Sequence, residues 1–271
     1  MMLLVVGAGG YLGGEVCRQA VAAGEQVAGT VHRTPVRLPG VPSYPLDLRD
    51  RVAVRDLITR LRPDVVVNTA YRIDDWAVTA DGAAHVALAA AEAGARLVHL
   101  SSDALHAGRP APYGDDVAPT PVYPYGAAKA AAETAVRAID PRAVLVRTSL
   151  IVGDERSKQV QLCLDALDGR ARLFTDEFRC PIAVQDLAGA VLELAAADHA
   201  GVLNVAGPEA VSRAELGVLV ARWRGIDPAR LATARAADQP QARPADVRLD
   251  SRRAVGLLTT RLRAVSEIFA A

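Results

Sequence analysis

The chain has few cysteines, no net charge and no long apolar run. Cys17, Cys163 and Cys180 are odd in number and far apart. That pattern argues against a disulfide frame or a zinc site, so no metal is expected, and it predicts reduced thiols in a cytoplasmic protein. Lysine plus arginine and aspartate plus glutamate each total 31. The balance leaves no electrostatic footprint for nucleic acid or an anionic membrane surface, and any bound phosphate must be met by local basic groups. No stretch reaches membrane-spanning length and no basic leader region precedes the first apolar run, again an expectation of a cytosolic protein. Internal repeats are lacking as well. What remains is an ordinary globular composition, 51% hydrophobic over 271 residues, sufficient for one α/β unit with an appended lobe.

Apolar runs at residues 3–6, 26–31, 65–68, 96–100 and 143–148 alternate with stretches of helical spacing. This is the pattern of right-handed crossovers in a doubly wound parallel sheet, a Rossmann-type α/β fold. Asp50 is placed to cap a helix that Arg62-Pro63 stops, and Gly94 ends the alanine-rich helix before the fourth of these strands. Residues 103–122 lack periodicity and carry four prolines, which predicts a long functional loop over a pocket. Beyond Ser149 the pattern is mixed. A dinucleotide-binding unit over 1–150 is therefore expected, followed by 151–271 as mainly a substrate lobe with elements returning to the sheet. Within that lobe Ser212 is placed to cap a helix through Arg224, and 236–246 is a polar, Pro-containing loop.

The first run is followed by Gly7-Ala8-Gly9-Gly10-Tyr11-Leu12-Gly13 and then by helical spacing. Glycines at 7, 10 and 13 allow a tight turn and close backbone approach to a pyrophosphate lying on a helix N-terminus. The spacing differs from the Gly-x-Gly-x-x-Gly of many dehydrogenases. After the second strand an NAD site would carry a carboxylate for the ribose hydroxyls, but the chain reads Gly29-Thr30-Val31-His32-Arg33. Arg33, with His32 and Thr30 beside it, suits a 2′-phosphate, so NADP is expected, with NAD as the alternative cofactor. Asp47-Leu48 are placed to meet the adenine, and Thr69-Ala70-Tyr71 to line the nicotinamide side.

Reducing a ketone requires a proton for the developing alkoxide beside the hydride donor. Tyr125 and Lys129 lie four apart in an alanine-rich helical stretch, so their side chains share a face. An ammonium there favours phenolate and predicts a lowered tyrosine pKa. Ser102 follows the run 96–100 and falls at the carboxyl end of a strand, where doubly wound sheets place ligands; from there its hydroxyl reaches a substrate carbonyl.

These motifs resemble the extended short-chain dehydrogenase/reductase superfamily, and within it the dTDP-4-dehydrorhamnose reductase branch. The resemblance runs almost end to end. Ser101-Ser102-Asp103-Ala104-Leu105-His106 matches the branch's Ser-Thr-Asp-Tyr-Val-Phe, and Pro112-Tyr113-Gly114-Asp115 its Pro-aromatic-x-acidic stretch. Pro121, then Tyr125 through Glu133, match its proline and Tyr-Gly-x-x-Lys-x-x-x-Glu; Arg147-Thr148-Ser149 and Arg243-Pro244 with Leu249-Asp250 match later segments. The resemblance implies Tyr125 as acid, Lys129 as ribose anchor and Ser102 as carbonyl donor. It also implies Asp103 and His106 near the substrate, with Arg179 and Arg243 as candidates for its diphosphate. Three departures touch the sugar pocket: Ala104 replaces an aromatic, Leu150 a tryptophan, and Arg179-Cys180-Pro181-Ile182 a Gly-x-Pro-Thr.

The resulting expectation is an NADP-dependent reductase of a keto group on a nucleotide-activated deoxysugar, a small-molecule enzyme with a homodimer as its candidate assembly. A sugar-nucleotide epimerase or dehydratase stands as an alternative, and so does a non-catalytic cofactor-binding regulatory subunit.

Overall fold

A computed structural model describes residues 1–32, 35 and 38–270. Six strands precede residue 148, most of them separated by helices: β1 (Met2–Val6), β2 (Gln26–Val31), β3 (Ser43–Pro45), β4 (Val65–Asn68), β5 (Arg96–Leu100) and β6 (Val144–Arg147). Together with Gly201–Asn204 they form a seven-stranded sheet. Its order is β3-β2-β1-β4-β5-β6 and then Gly201–Asn204, every pairing parallel. The order reverses between β1 and β4, and ligands of such sheets bind at that switch point, beyond the carboxyl ends of the strands.

The strands are apolar on both faces because both faces are covered. Leu3 and Val5 of β1, Val65 and Val67 of β4, and Val144 and Val146 of β6 face one core with helices α1 (Tyr11–Ala22) and α6 (Val184–Ala196). Leu4, Val6, Val66 and Leu145 face the other, with α2 (Arg51–Leu61), α3 (Gly82–Glu92) and α4 (Pro124–Ile139). The two-residue alternation of a strand sorts the side chains onto these faces. Helix α6 and the strand Gly201–Asn204 thus return from the C-terminal half to complete the sheet and its cover. The remaining lobe has its own core, in which Leu150, Val160, Leu173 and Val220 pack with Phe269.

Local signals explain several boundaries. Asp50 accepts the Ala53 N–H at 3.0 Å at the start of α2, and Arg62 closes that helix at φ 47°. Ser212 and Glu215 form a reciprocal capping box on α7 (Arg213–Trp223). The loop after β5 is held from beneath: Arg147 donates to the carbonyls of Asp115 (3.1 Å) and Val117 (2.9 Å), while its other side makes a two-pronged ion pair with Glu133. A π-helical turn at Ala77–Asp81, which periodicity does not reveal, leads into α3. Cys17, Cys163 and Cys180 are buried free thiols. Among the described residues no helix is long and apolar enough to cross a membrane, and no cluster suited to a metal ion is present.

Candidate active site

The first turn is built by close approach. Gly7 sits at φ +86°, where L-residues are strained, and a Cβ there would lie 3.0 Å from the Ala70 backbone. At Gly13 a Cβ would stand 2.3 Å from the Gly7 carbonyl oxygen, so only glycine lets α1 start this near β1. Gly10 caps α1 without a side-chain bond, which leaves the opening N–H groups at Tyr11 and Leu12 to meet an anion. Four residues expected at the cofactor play supporting parts through their side chains. Thr30 is buried and accepts the Gly7 N–H at 3.2 Å, Thr69 donates to the Val6 carbonyl at 2.9 Å, and Leu12 packs in the core. The Tyr11 hydroxyl accepts the Asp154 N–H at 3.2 Å, joining the cofactor helix to the start of the lobe; burial, then Asp154, pushes that phenol up to about 12.

Beyond the ends of β2 and β3 lies a cavity of about 180 Å³ lined by His32, Asp47, Leu48, Arg49, Arg72 and Asp75, among others. His32, Asp47 and Leu48 were expected at the adenosine end, and the fold brings them together. Arg49, Arg72 and Asp75 were not expected, because three separate loops supply this wall. Arg49 pairs with Asp47 at 2.6 Å, and its hydrogen bonds hold the Asp47 carboxyl down at about 2. Arg33 lies outside the described residues.

At the other end, β5 delivers Ser102, whose Oγ accepts the Ala104 N–H at 3.2 Å. Tyr125 enters at the first turn of α4, behind Pro124, whose ring fits a first helical position. Lys129, one turn on, is 2% exposed; its Nζ donates to the Leu100 carbonyl at 2.8 Å and lies 5.3 Å from the Tyr71 ring centroid. Burial lowers Lys129 to about 8, with Glu133 opposing. The Tyr71 ring stands 5.6 Å from that of Tyr125. The expected fall in the Tyr125 pKa is not found. Burial holds the phenol well above its ordinary value, with Tyr71 adding to the effect and the hydrogen bond to Ser102 opposing it. The low dielectric around the phenol dominates its titration.

On the lobe side, a glutamate that no sequence motif marks gathers three arginines. Glu177 is fully buried and meets Arg213 at 2.9 Å, Arg243 at 2.8 Å and Arg179 at 3.4 Å. Burial alone would raise its carboxyl, but the three guanidinium groups outweigh that and hold it at about 2. Arg179 does not fit the diphosphate role expected of it. Its donors are taken by the carbonyls of Phe178 (2.7 Å), Ala245 (3.1 Å) and Pro244 (2.7 Å), and its Nε lies 3.6 Å from Asp103. Asp103 also accepts from the Ser149 hydroxyl at 2.7 Å, and its carboxyl is raised by burial, so it supports the site from inside. His106 is likewise withdrawn: fully buried, it stacks on Tyr113 with ring centroids 4.0 Å apart. Arg243 is different. Its side chain is 41% exposed, lies over the Phe174 ring and is tethered to Glu177 through Nε.

Comparison with known proteins agrees with this architecture. The profile of the RmlD substrate binding domain family matches residues 1–269. A dTDP-4-dehydrorhamnose reductase of Mycobacterium tuberculosis is 34% identical, across 89% of this chain and 82% of that protein. A probable dTDP-4,6-dihydroxy-2-methyloxan-3-one 4-ketoreductase of Streptomyces antibioticus is 32% identical, across 90% and 85%. The crystal structure of a Bacillus anthracis dTDP-4-dehydrorhamnose reductase in complex with NADP superposes with a TM-score of 0.84 at 21% identity, covering 99% of this chain and 96% of that one. The chain therefore belongs to the RmlD substrate binding domain family and stands, with these relatives, among the reductases of short-chain dehydrogenase/reductase type.

Proposed function

We propose that this chain reduces a keto group on a nucleotide-activated deoxysugar with NADPH, NADH being the second choice. The names of its relatives support the substrate class. The observation that carries the reading is the convergence of Ser102, Tyr125 and Lys129 at the end of β5, beside a glycine turn that admits a pyrophosphate.

The residues present fit the cofactor. The uncapped N-terminus of α1 and the Gly7–Gly13 approach suit the pyrophosphate, and the cavity holding His32, Asp47, Arg49 and Arg72 suits the adenosine end. Arg49 after β3 and Arg72 after β4 line that cavity, and no acidic residue directly follows β2, which together favour a 2′-phosphate. When bound, the nicotinamide group supplies the hydride. Tyr125 and Ser102 hold the carbonyl oxygen, and the Tyr125 hydroxyl gives its proton to that oxygen as negative charge grows there. A phenol whose pKa is raised by burial is protonated at neutral pH, the state that the reductive direction needs. Lys129 places a positive charge beneath the site and anchors the cofactor ribose. Arg243 meets the diphosphate of the sugar nucleotide, since it combines exposure with a fixed orientation.

Following NADPH consumption over a panel of 4-keto nucleotide sugars tests the reading. Tyr125→Phe is expected to retain NADPH binding while turnover falls by about two to four orders of magnitude. Unchanged turnover in that variant removes the acid assignment, and no keto-sugar-dependent oxidation in the wild type removes the reductase.

A further inference from the structure

Three of the six tyrosines in the chain meet at the reactive cleft: Tyr71, Tyr123 and Tyr125. Tyr71 and Tyr125 face the cofactor and the carbonyl in the reading above, but Tyr123 has no part in it. Its position is costly for the fold. Tyr123 is the cap residue of α4, with an extended backbone at φ −151° and ψ 161°, and it makes no capping hydrogen bond. Serine, threonine, aspartate or asparagine there would satisfy a free N–H and typically adds about 1 kcal/mol to a helix. Helix stability therefore does not account for a tyrosine at this place.

The surroundings do account for it. The half-buried ring stands 6.2 Å from the ring of Tyr125, and the phenol lies in the field of Asp103, Arg179, Arg243 and Glu177. Tyr123 thus neighbours the residue that meets the carbonyl and lies within the field of the arginine left open for the diphosphate. Building on the function proposed above, we propose that Tyr123 is the specificity-determining residue for the sugar. Its ring walls the pyranose site, and its hydroxyl bonds a sugar hydroxyl lying between the carbonyl at Tyr125 and the diphosphate at Arg243. Burial pushes its phenol up to about 12, so it presents a neutral O–H at every working pH. A site built to bond a hydroxyl rejects analogues that lack it, because its own polar group is then left unpaired.

Tyr123→Phe keeps the ring and removes only the O–H. The expected result is a KM for the keto sugar raised about three- to tenfold, the worth of one neutral hydrogen bond, with kcat and the KM for NADPH unchanged. Assayed on 2-deoxy and 3-deoxy nucleotide sugars, wild type and Phe variant become equal for the analogue missing the hydroxyl that Tyr123 contacts. Tyr123→Asn, which can cap the helix but has no ring, raises KM further while retaining the thermal midpoint. Calorimetry with a dTDP-6-deoxyhexose on the NADP complex gives the same ratio without turnover. An unaltered KM in the Phe variant, a loss confined to kcat, or a penalty that persists on both deoxy analogues overturns the proposal. A wild type that binds the sugar nucleotide but does not reduce it sinks the reductase reading alone, and calorimetry then decides Tyr123. A wild type that binds none overturns both.

Discussion

Glu133 and Glu177 are both buried carboxylates bonded to arginine, in different halves of the molecule and on different plans. Glu133 faces one guanidinium, Arg147, in two near-parallel bonds of 2.9 and 2.8 Å, and both side chains are closed off from water. Charge balances there, and the spare donors of Arg147 go to the loop carbonyls. Glu177 serves three arginines, and Asp103, a carboxyl raised by its own burial, is the other acid at hand. Positive charge is therefore in excess within this cluster, in a chain whose total charge is zero. A balanced pair serves as a scaffold. An unbalanced one, open at Arg243, is suited to complete itself with an anionic ligand.

The largest effects should come from removing each carboxylate. Glu133→Gln and Glu177→Gln are each expected to lower stability to urea by about 3–5 kcal/mol, the cost of leaving a buried guanidinium unpaired. The two should part company when dTDP is added: the Glu177 variant regains stability and the Glu133 variant does not. Equal rescue, or none in either, breaks the distinction. Next in size is the alkaline limb of kcat/KM. Lys129 is held at about 8, so its ammonium is present below that pH and lost as pH rises through it; kcat/KM should fall about tenfold per pH unit beyond. Glu133 opposes that lowering, so in Glu133→Gln the limb should move to lower pH, whereas Glu177→Gln should leave it in place. The smallest effect on the fold is expected of Arg243→Ala, below about 1 kcal/mol because the side chain is partly exposed. Its KM for the nucleotide sugar should nevertheless rise about tenfold, and an unchanged KM would remove Arg243 from the diphosphate.

Legibility in the sequence followed the range of the interactions. The glycine turn and the Asp50 and Ser212 caps depend on spacings of a few residues, and the structure places them where that spacing predicts, with Tyr125 and Lys129 one turn apart on α4. Arg179 was misread because the carbonyls that consume its donors come from Pro244 and Ala245, far along the chain. His106 sits near Ser102 in sequence, yet its stacking on Tyr113 depends on the path of an aperiodic loop. Glu177 carried no motif, and only the convergence of Arg179, Arg213 and Arg243 reveals it. The Tyr125 pKa was misjudged for a related reason: a charge can be counted from sequence, but burial cannot.

At Gly126, next to Tyr125, a Cβ would lie 2.2 Å from the Ala104 carbonyl oxygen, which belongs to the turn that Ser102 caps. A single methyl there would wedge α4 away from the end of β5 and part Tyr125 from Ser102. In a saturation library scored for turnover, position 126 should therefore read as a void of tolerated variation, although its residue carries no reactive atom at all.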